Sequence, residues 1–196
     1  MIKDRNLDLL ARKQYVIMKP DVAANSIVNA EDISGSSVVT ATLVKTLLDY
    51  PRNLLYTLAD NSSNTLEAVF TTVGEDQFGN VVSEAVTVDY STAATTAGTQ
   101  IFSKITSIII DATNQAASDT ASVGVVIAAD VASFGLPDKI GAVTDIKNIA
   151  FIDNGVVKPQ NIDSTSIVTA RHCFRPEQTV EIIDDYIITY KSSFYR

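Results

Sequence analysis

The 196-residue sequence has no tryptophan, one histidine, one cysteine and few charges. Each shortage removes a class of explanation. The single Cys173 has no partner for an internal bridge, so the fold must rest on packing. The lone His172 leaves no imidazole set for a zinc centre of the usual kind. Charged residues make up 19% of the chain, against about 25% in an average soluble domain. Thr, Ser, Asn and Gln must do much of the solvating. No apolar run approaches the roughly 20 residues that span a bilayer. None of signal-peptide length follows Met1-Ile-Lys-Asp-Arg-Asn. The expectation is a soluble chain made in a reducing cytoplasm, with no membrane partner. Phosphate-cradling glycine loops and the G-x-S-x-G elbow are missing too.

What is present is unevenly distributed. The formal charge is −8. Residues 1–20 hold five basic and two acidic side chains, whereas residues 53–130 hold one basic and nine acidic. A small basic head precedes a strongly acidic middle, and such asymmetry speaks to partners. The head lacks the aromatic-basic platform of a nucleic-acid binder, so no nucleic-acid partner is expected.

Short β-rich runs recur between turn clusters. Val38–Leu48, Leu54–Leu58, Thr65–Gly74, Val81–Tyr90, Phe102–Ile110, Ala121–Ile127, Asn148–Asp153, Ser166–Cys173 and Thr179–Tyr190 read as strands. In Val81–Tyr90 the residues Val82, Val86, Val88 and Tyr90 fall on one face and Ser83, Thr87 and Asp89 on the other. That period of two marks a half-buried strand. No long helix-period segment occurs. The fold class predicted is all-β, an antiparallel β-sandwich of Ig-like or jelly-roll topology with an extended N-terminal arm. The arm and linker are assigned to residues 1–37 and the sandwich, with its C-terminal strand, to 38–196. Within the arm, Tyr15–Met18 reads as an arm or edge strand.

Candidate chemistry is sparse. His172 beside Cys173 suggests a nucleophile pair, but neighbours on a strand point to opposite faces. Asp60, Glu75, Asp76, Asp111 and Asp119 sit in loops that calcium favours, yet they are also ordinary turn residues. Glu181, Asp184 and Asp185 form the tightest carboxylate group, the one hint of a hydrolase. The sequence predicts no enzyme and no cofactor or metal.

A resemblance enters with Pro51-Arg-Asn-Leu-Leu-Tyr-Thr-Leu and Glu75-Asp-Gln-Phe-Gly-Asn-Val-Val-Ser-Glu-Ala-Val-Thr-Val. These resemble a P-R-N strand, followed by a G-x-D-x-x-G strand, in structural proteins of tailed-bacteriophage virions. Phe102-Ser-Lys-Ile-Thr-Ser-Ile, Asp119-Thr-Ala-Ser-Val-Gly, Phe134-Gly-Leu-Pro, Phe174-Arg-Pro and Tyr186-Ile-Ile-Thr-Tyr continue it in order. The similarity covers about residues 51–190. It implies a virion component assembled in the host cytoplasm. That component is a decoration or auxiliary capsid protein, or a tail, neck or head-fibre part. The implied partners are the major capsid protein or other virion proteins, and other copies of the chain, a trimer being one form. Arg5, Arg12, Lys13, Tyr15, Ile17, Phe194 and Tyr195 are the candidate interface residues. The Tyr15–Met18 run is expected to pair with a neighbouring subunit. The Tyr186–Tyr195 run is expected first to complete the chain's own sheet. A carbohydrate-binding or adhesin-like β module is the alternative class, weakened by the missing tryptophan.

Overall fold

Side chains that alternate between burial and exposure organise the described residues into sixteen strands. A computed structural model describes residues 12–35, 38–60, 66–153, 155–163, 166–181 and 184–191. In chain order the strands are β1 (Arg12–Met18), β2 (Val28–Asp32), β3 (Val38–Thr40), β4 (Leu47–Arg52), β5 (Leu54–Ala59) and β6 (Glu67–Glu75). Then come β7 (Val81–Asp89), β8 (Thr95–Ala97), β9 (Phe102–Thr113), β10 (Thr120–Val125) and β11 (Phe134–Gly135). The last are β12 (Ile146–Asp153), β13 (Val156–Pro159), β14 (Ile167–Val168), β15 (Cys173–Phe174) and β16 (Asp185–Lys191). Two single 3-10 turns, Val143–Asp145 and Thr169–Arg171, are the only helical pieces among the described residues.

The strands form three sheets in which every pairing is antiparallel. The first runs β14-β15-β11-β4-β9-β6-β7, with β3 also paired to β9. The second runs β2-β10-β5-β8 and the third β1-β16-β12-β13. The first two sheets enclose one apolar core, with Leu54, Tyr56, Leu58, Phe70, Val88, Phe102, Ile108, Ile110 and Val123 inside. A second core lies against the third sheet, built from Ile17, Phe134, Ile149, Phe174, Val180, Tyr186, Ile188 and Tyr190. The all-β expectation holds.

The two cores meet where the chain changes sheets. β4 belongs to the first sheet and β5 to the second, with Asn53 alone between them. Such corners let one strand serve two layers. Polar residues there are fully enclosed. The Arg52 guanidinium, 0% exposed, donates to the carbonyl oxygens of Asp21 (2.6 Å) and Val126 (2.8 Å). Its carbon lies 4.5 Å from the centre of the Phe134 ring. Asn53 donates to Gly98 and Val131 carbonyls and accepts from the Ser133 amide. A buried polar group must be paired in this way or it opposes folding.

Four expectations need correction. Residues 12–35 are not an arm or linker outside the sandwich. β1 pairs with β16, β2 pairs with β10, and Ile17, Ile27, Val28 and Ile33 are all 0% exposed. The boundary at 37/38 therefore does not separate folded body from tether; residues 1–11 lie outside the described residues. The Val38–Leu48 run is two strands, β3 and part of β4, with an irregular segment between. There, the Ala41 amide donates to Ile108 in β9 and the Val44 amide to Ile27, the residue before β2. Ser166–Cys173 is a tight hairpin, reversed at His172, whose φ is +50°. The last strand starts at Asp185 and not at Thr179.

Candidate docking surfaces

The outward face of the first sheet has an unusual composition. Register aligns Thr40, Ile109, Thr71 and Ala85 in one row, and Val38, Asp111, Val69 and Thr87 in the next. Ser107, Val73 and Ser83 form a third row. Inward neighbours such as Phe70, Ile108 and Ile110 fill the core, so alternation turns these small and β-branched residues outward. Val38 is 54% exposed and Ile109 41%. Apart from Asp111 in the second row, charge lies at the ends. At one end Lys104 pairs with Glu75 at 2.8 Å, beside exposed Leu47 and Val81. At the other lie Glu67 and Asp89. Hydrogen bonds from the Ser91 hydroxyl and amide hold the Asp89 carboxyl below its ordinary pKa.

The sequence-predicted interface residues fall elsewhere. Arg5, Phe194 and Tyr195 lie outside the described residues. Arg12 is exposed on β1. Lys13 forms an ion pair with Asp138 at 2.9 Å, and Asp138 also accepts from the Tyr190 hydroxyl at 2.8 Å. Tyr15 meets Tyr50 edge to face, and Ile17 is buried in the second core. The Tyr15–Met18 run therefore pairs within its own chain. Antiparallel register joins Tyr15 to Ile188 and Ile17 to Tyr186. Its outer edge is closed at Met18, whose amide donates to the Tyr50 hydroxyl while its carbonyl accepts from it.

The residues singled out for chemistry are held in structural roles. His172 sits in the left-handed region, and its Nδ1 contacts both main-chain atoms of Ile140, at 3.1 Å from N and 3.0 Å from O. Cys173 points into the interior, and burial pushes its thiol up to about 11, which leaves it protonated at neutral pH. Asp184 is 2% exposed and accepts from the Glu181 amide at 2.7 Å. Burial raises its pKa, and the charges of Glu181 and Asp153 add to the rise. Asp185 accepts from the Lys19 amide. Asp76 closes the β6–β7 turn by accepting from the amides of Phe78 and Asn80. Asp60 accepts from the Leu66 amide and Asp119 from that of Ala116. Among the described residues, no three His, Cys, Asp or Glu side chains converge as a metal cage.

Sequence reasoning missed one concavity. A cleft of about 250 Å³ is lined by Gln77, Phe78, Gln100, Lys139, Arg171 and His172, among others. Much of its polar lining is committed internally: Gln77 donates to the Arg171 carbonyl, Gln100 to Ile101 and Arg171 to Thr99. No alternating pattern announces it, because four separate segments build it: the β6–β7 turn, Gln100, Lys139 and the turn at Ala170–His172. Protein-family models, curated proteins and solved structures returned no match to this chain.

Proposed function

We propose that this chain is a structural subunit of a tailed-phage particle that docks on the major capsid shell as a decoration protein. The observation that carries the reading is the sparsely charged outer face of the first sheet, with Thr, Val, Ser, Ala and Ile presented across β3, β9, β6 and β7 around the single carboxylate of Asp111. Outside Asp111, a face of this kind loses little on desolvation and lays itself flat against another protein. The ordered motifs that resemble virion proteins support the same reading. The P-R-N motif falls at the buried corner of Arg52 and Asn53, where it has a physical reason to be kept as a unit. Repetition on a symmetric shell would multiply modest contacts into firm attachment.

Fractionation of purified particles tests this. The chain should co-purify in fixed stoichiometry with the shell protein, and Ile109→Lys or Thr71→Glu should release it without unfolding it. Absence from particles would end the proposal. The cleft beside Phe78 favours a second reading, a glycan-binding surface module, because an aromatic ring lies among amide side chains there. A chain absent from particles whose cleft resonances shift with added saccharides would support that reading instead.

A further inference from the structure

Sheet edges are templates for pairing, and proteins normally blunt them. The edges here differ sharply in this respect. β13 is four residues long and carries Lys158 and Pro159. β8 and β14 are three and two residues long. β2 breaks register against β10, and Ala30 adopts a φ of +48°. β1 carries Arg12 and Lys13 and is closed at Met18 by Tyr50. β7 has none of these devices. It runs nine residues, Val81–Asp89, in unbroken register with β6, without Lys, Pro or bulge.

The ladder fixes which β7 groups face the open side. Asp76 donates to the Asn80 carbonyl at one end of the β6–β7 pair and Tyr90 to the Leu66 carbonyl at the other. Hydrogen-bonded pairs alternate in an antiparallel ladder, so Val82, Glu84, Val86 and Val88 bond to β6. The main-chain groups of Val81, Ser83, Ala85 and Thr87 therefore point away from the sheet. Of the two carboxylates in the strand, terminal Asp89 accepts from Ser91, and Glu84 accepts from the amides of Thr99 and Gln100 and from the Thr99 hydroxyl.

We infer that β7 pairs with β7 of a second copy, antiparallel about a twofold axis through Ala85. The strand is self-complementary in that register. Ala85 faces Ala85 of the second copy, Ser83 faces Thr87, Val82 faces Val88, and Val81 faces Asp89. Every outward-facing residue then meets another outward-facing residue, which the alternation requires. No like charges stand opposite each other, and the Ser–Thr pairs place hydroxyls side by side. Small side chains at the seam let the two outer faces join without a ridge. The occupant is a second copy because the fit is isologous. This holds whether or not the capsid is the partner of the face.

Cross-linking of the full chain tests the register. In the pairing, the two Ala85 Cα atoms lie about 5.5 Å apart, within disulfide reach. The two Ser83 positions are offset by four residues, roughly 14 Å. Oxidised Ala85→Cys should run as a dimer on a non-reducing gel and Ser83→Cys as a monomer; the native Cys173 is buried and takes no part. Ala85→Pro removes an outward N–H that β6 does not use, so the fold should survive it. Self-association measured by sedimentation should nevertheless weaken about tenfold or more. The inference is overturned if the two cysteine variants cross-link alike. It also fails if the wild-type chain stays monomeric, or if Ala85→Pro, with an unchanged circular dichroism spectrum, associates as the wild type does. A trimer insensitive to Ala85→Pro overturns it as well. None of these outcomes depends on particle attachment, so the two proposals fail separately.

Discussion

Arg52 shows how much a single polar residue can organise. Its guanidinium ties Asp21, Val126 and Phe134 together, and burial depresses its pKa to about 10 against the nearby Asp49 and Asp21 charges. Arg52→Ala would take the donors from the buried Val126 carbonyl and the half-buried Asp21 carbonyl and should cost about 3 kcal/mol in urea unfolding. Arg52→Lys should lose most of that too, because one ammonium does not reproduce the planar fork. Asp184 makes the opposite case. Burial raises its pKa, so it releases its proton more readily when unfolded. Its contribution is greatest in acid and is lost as pH rises above about 4 toward the raised value. Asp184→Asn should therefore stabilise the protein at neutral pH, and thermal melts should show that gain disappearing in acid. Neither residue advertised its burial in the sequence. An arginine between Pro51 and Asn53 reads as a turn, because polar character usually means exposure. Only the crossing of β4 from one sheet toward the other encloses it.

At the scale of elements, strands with strict alternation were legible. β5, β6, β7, β9 and β10 fall within a few residues of the runs read from the sequence. The failures share a cause. β1, β2 and the residues flanking β2 supply isolated buried residues, Ile17, Ile27, Val28 and Ile33, with no sustained period around them. The edge-strand reading of Tyr15–Met18 holds for β1, at the edge of the third sheet, whereas only its tertiary partner β10 makes β2 a strand. The β-branched run 38–48 gave no sign that its middle leaves the strand, reaching β9 at Ile108 and the segment before β2 at Ile27. The docking surfaces were legible only in part: Ser83, Thr87 and Asp89 could be placed on an outward face, but an open edge depends on which strands lack neighbours. Gly124 tests the docking of the early segment. A methyl there would overlap the backbone of Ala23 and Ala24, where Val125 donates to Ala23 and Ile27 donates to Val123. Gly124→Ala should cost about 1–3 kcal/mol and speed amide exchange across β2 ahead of β9.

At the scale of the whole molecule, the two cores share their supports. Leu54 lies in one core while Leu55 packs against the other, and Leu48 and Tyr50 on β4 divide likewise. Neither core can lose its packing and leave β4 and β5 in place. Calorimetry should give one transition, with matching calorimetric and van't Hoff enthalpies. Alkali should unfold the protein as a unit. Burial raises the phenol pKa values of Tyr15, Tyr56, Tyr186 and Tyr190 far above their ordinary value. The unfolded chain ionises these phenols near pH 10, so the stability they contribute below that pH falls away above it. Arg52 pulls the other way over the same range, one group against four. Phenolate absorbance from these tyrosines should rise together with loss of the strand signal, not before it.

The pairing of β1 with β16 joins Arg12 to Lys191, nearly the full span of the chain. Synthesis proceeds from one end, so β1 emerges long before its partner exists. Residues of the first core, from Ile27 to Val123, are all available by the time about two thirds of the chain has left the ribosome. The second core must wait for Tyr186, Ile188 and Tyr190. Until then Ile17 and the β1 backbone have no cover, and loop closure over such a separation is slow. The nascent chain thus passes through a half-built stage in which one sandwich is closed and one strand is still seeking its mate. An unpaired strand exposed at high local concentration is open to exchange between molecules, and β1 is the element of this fold best placed to be swapped.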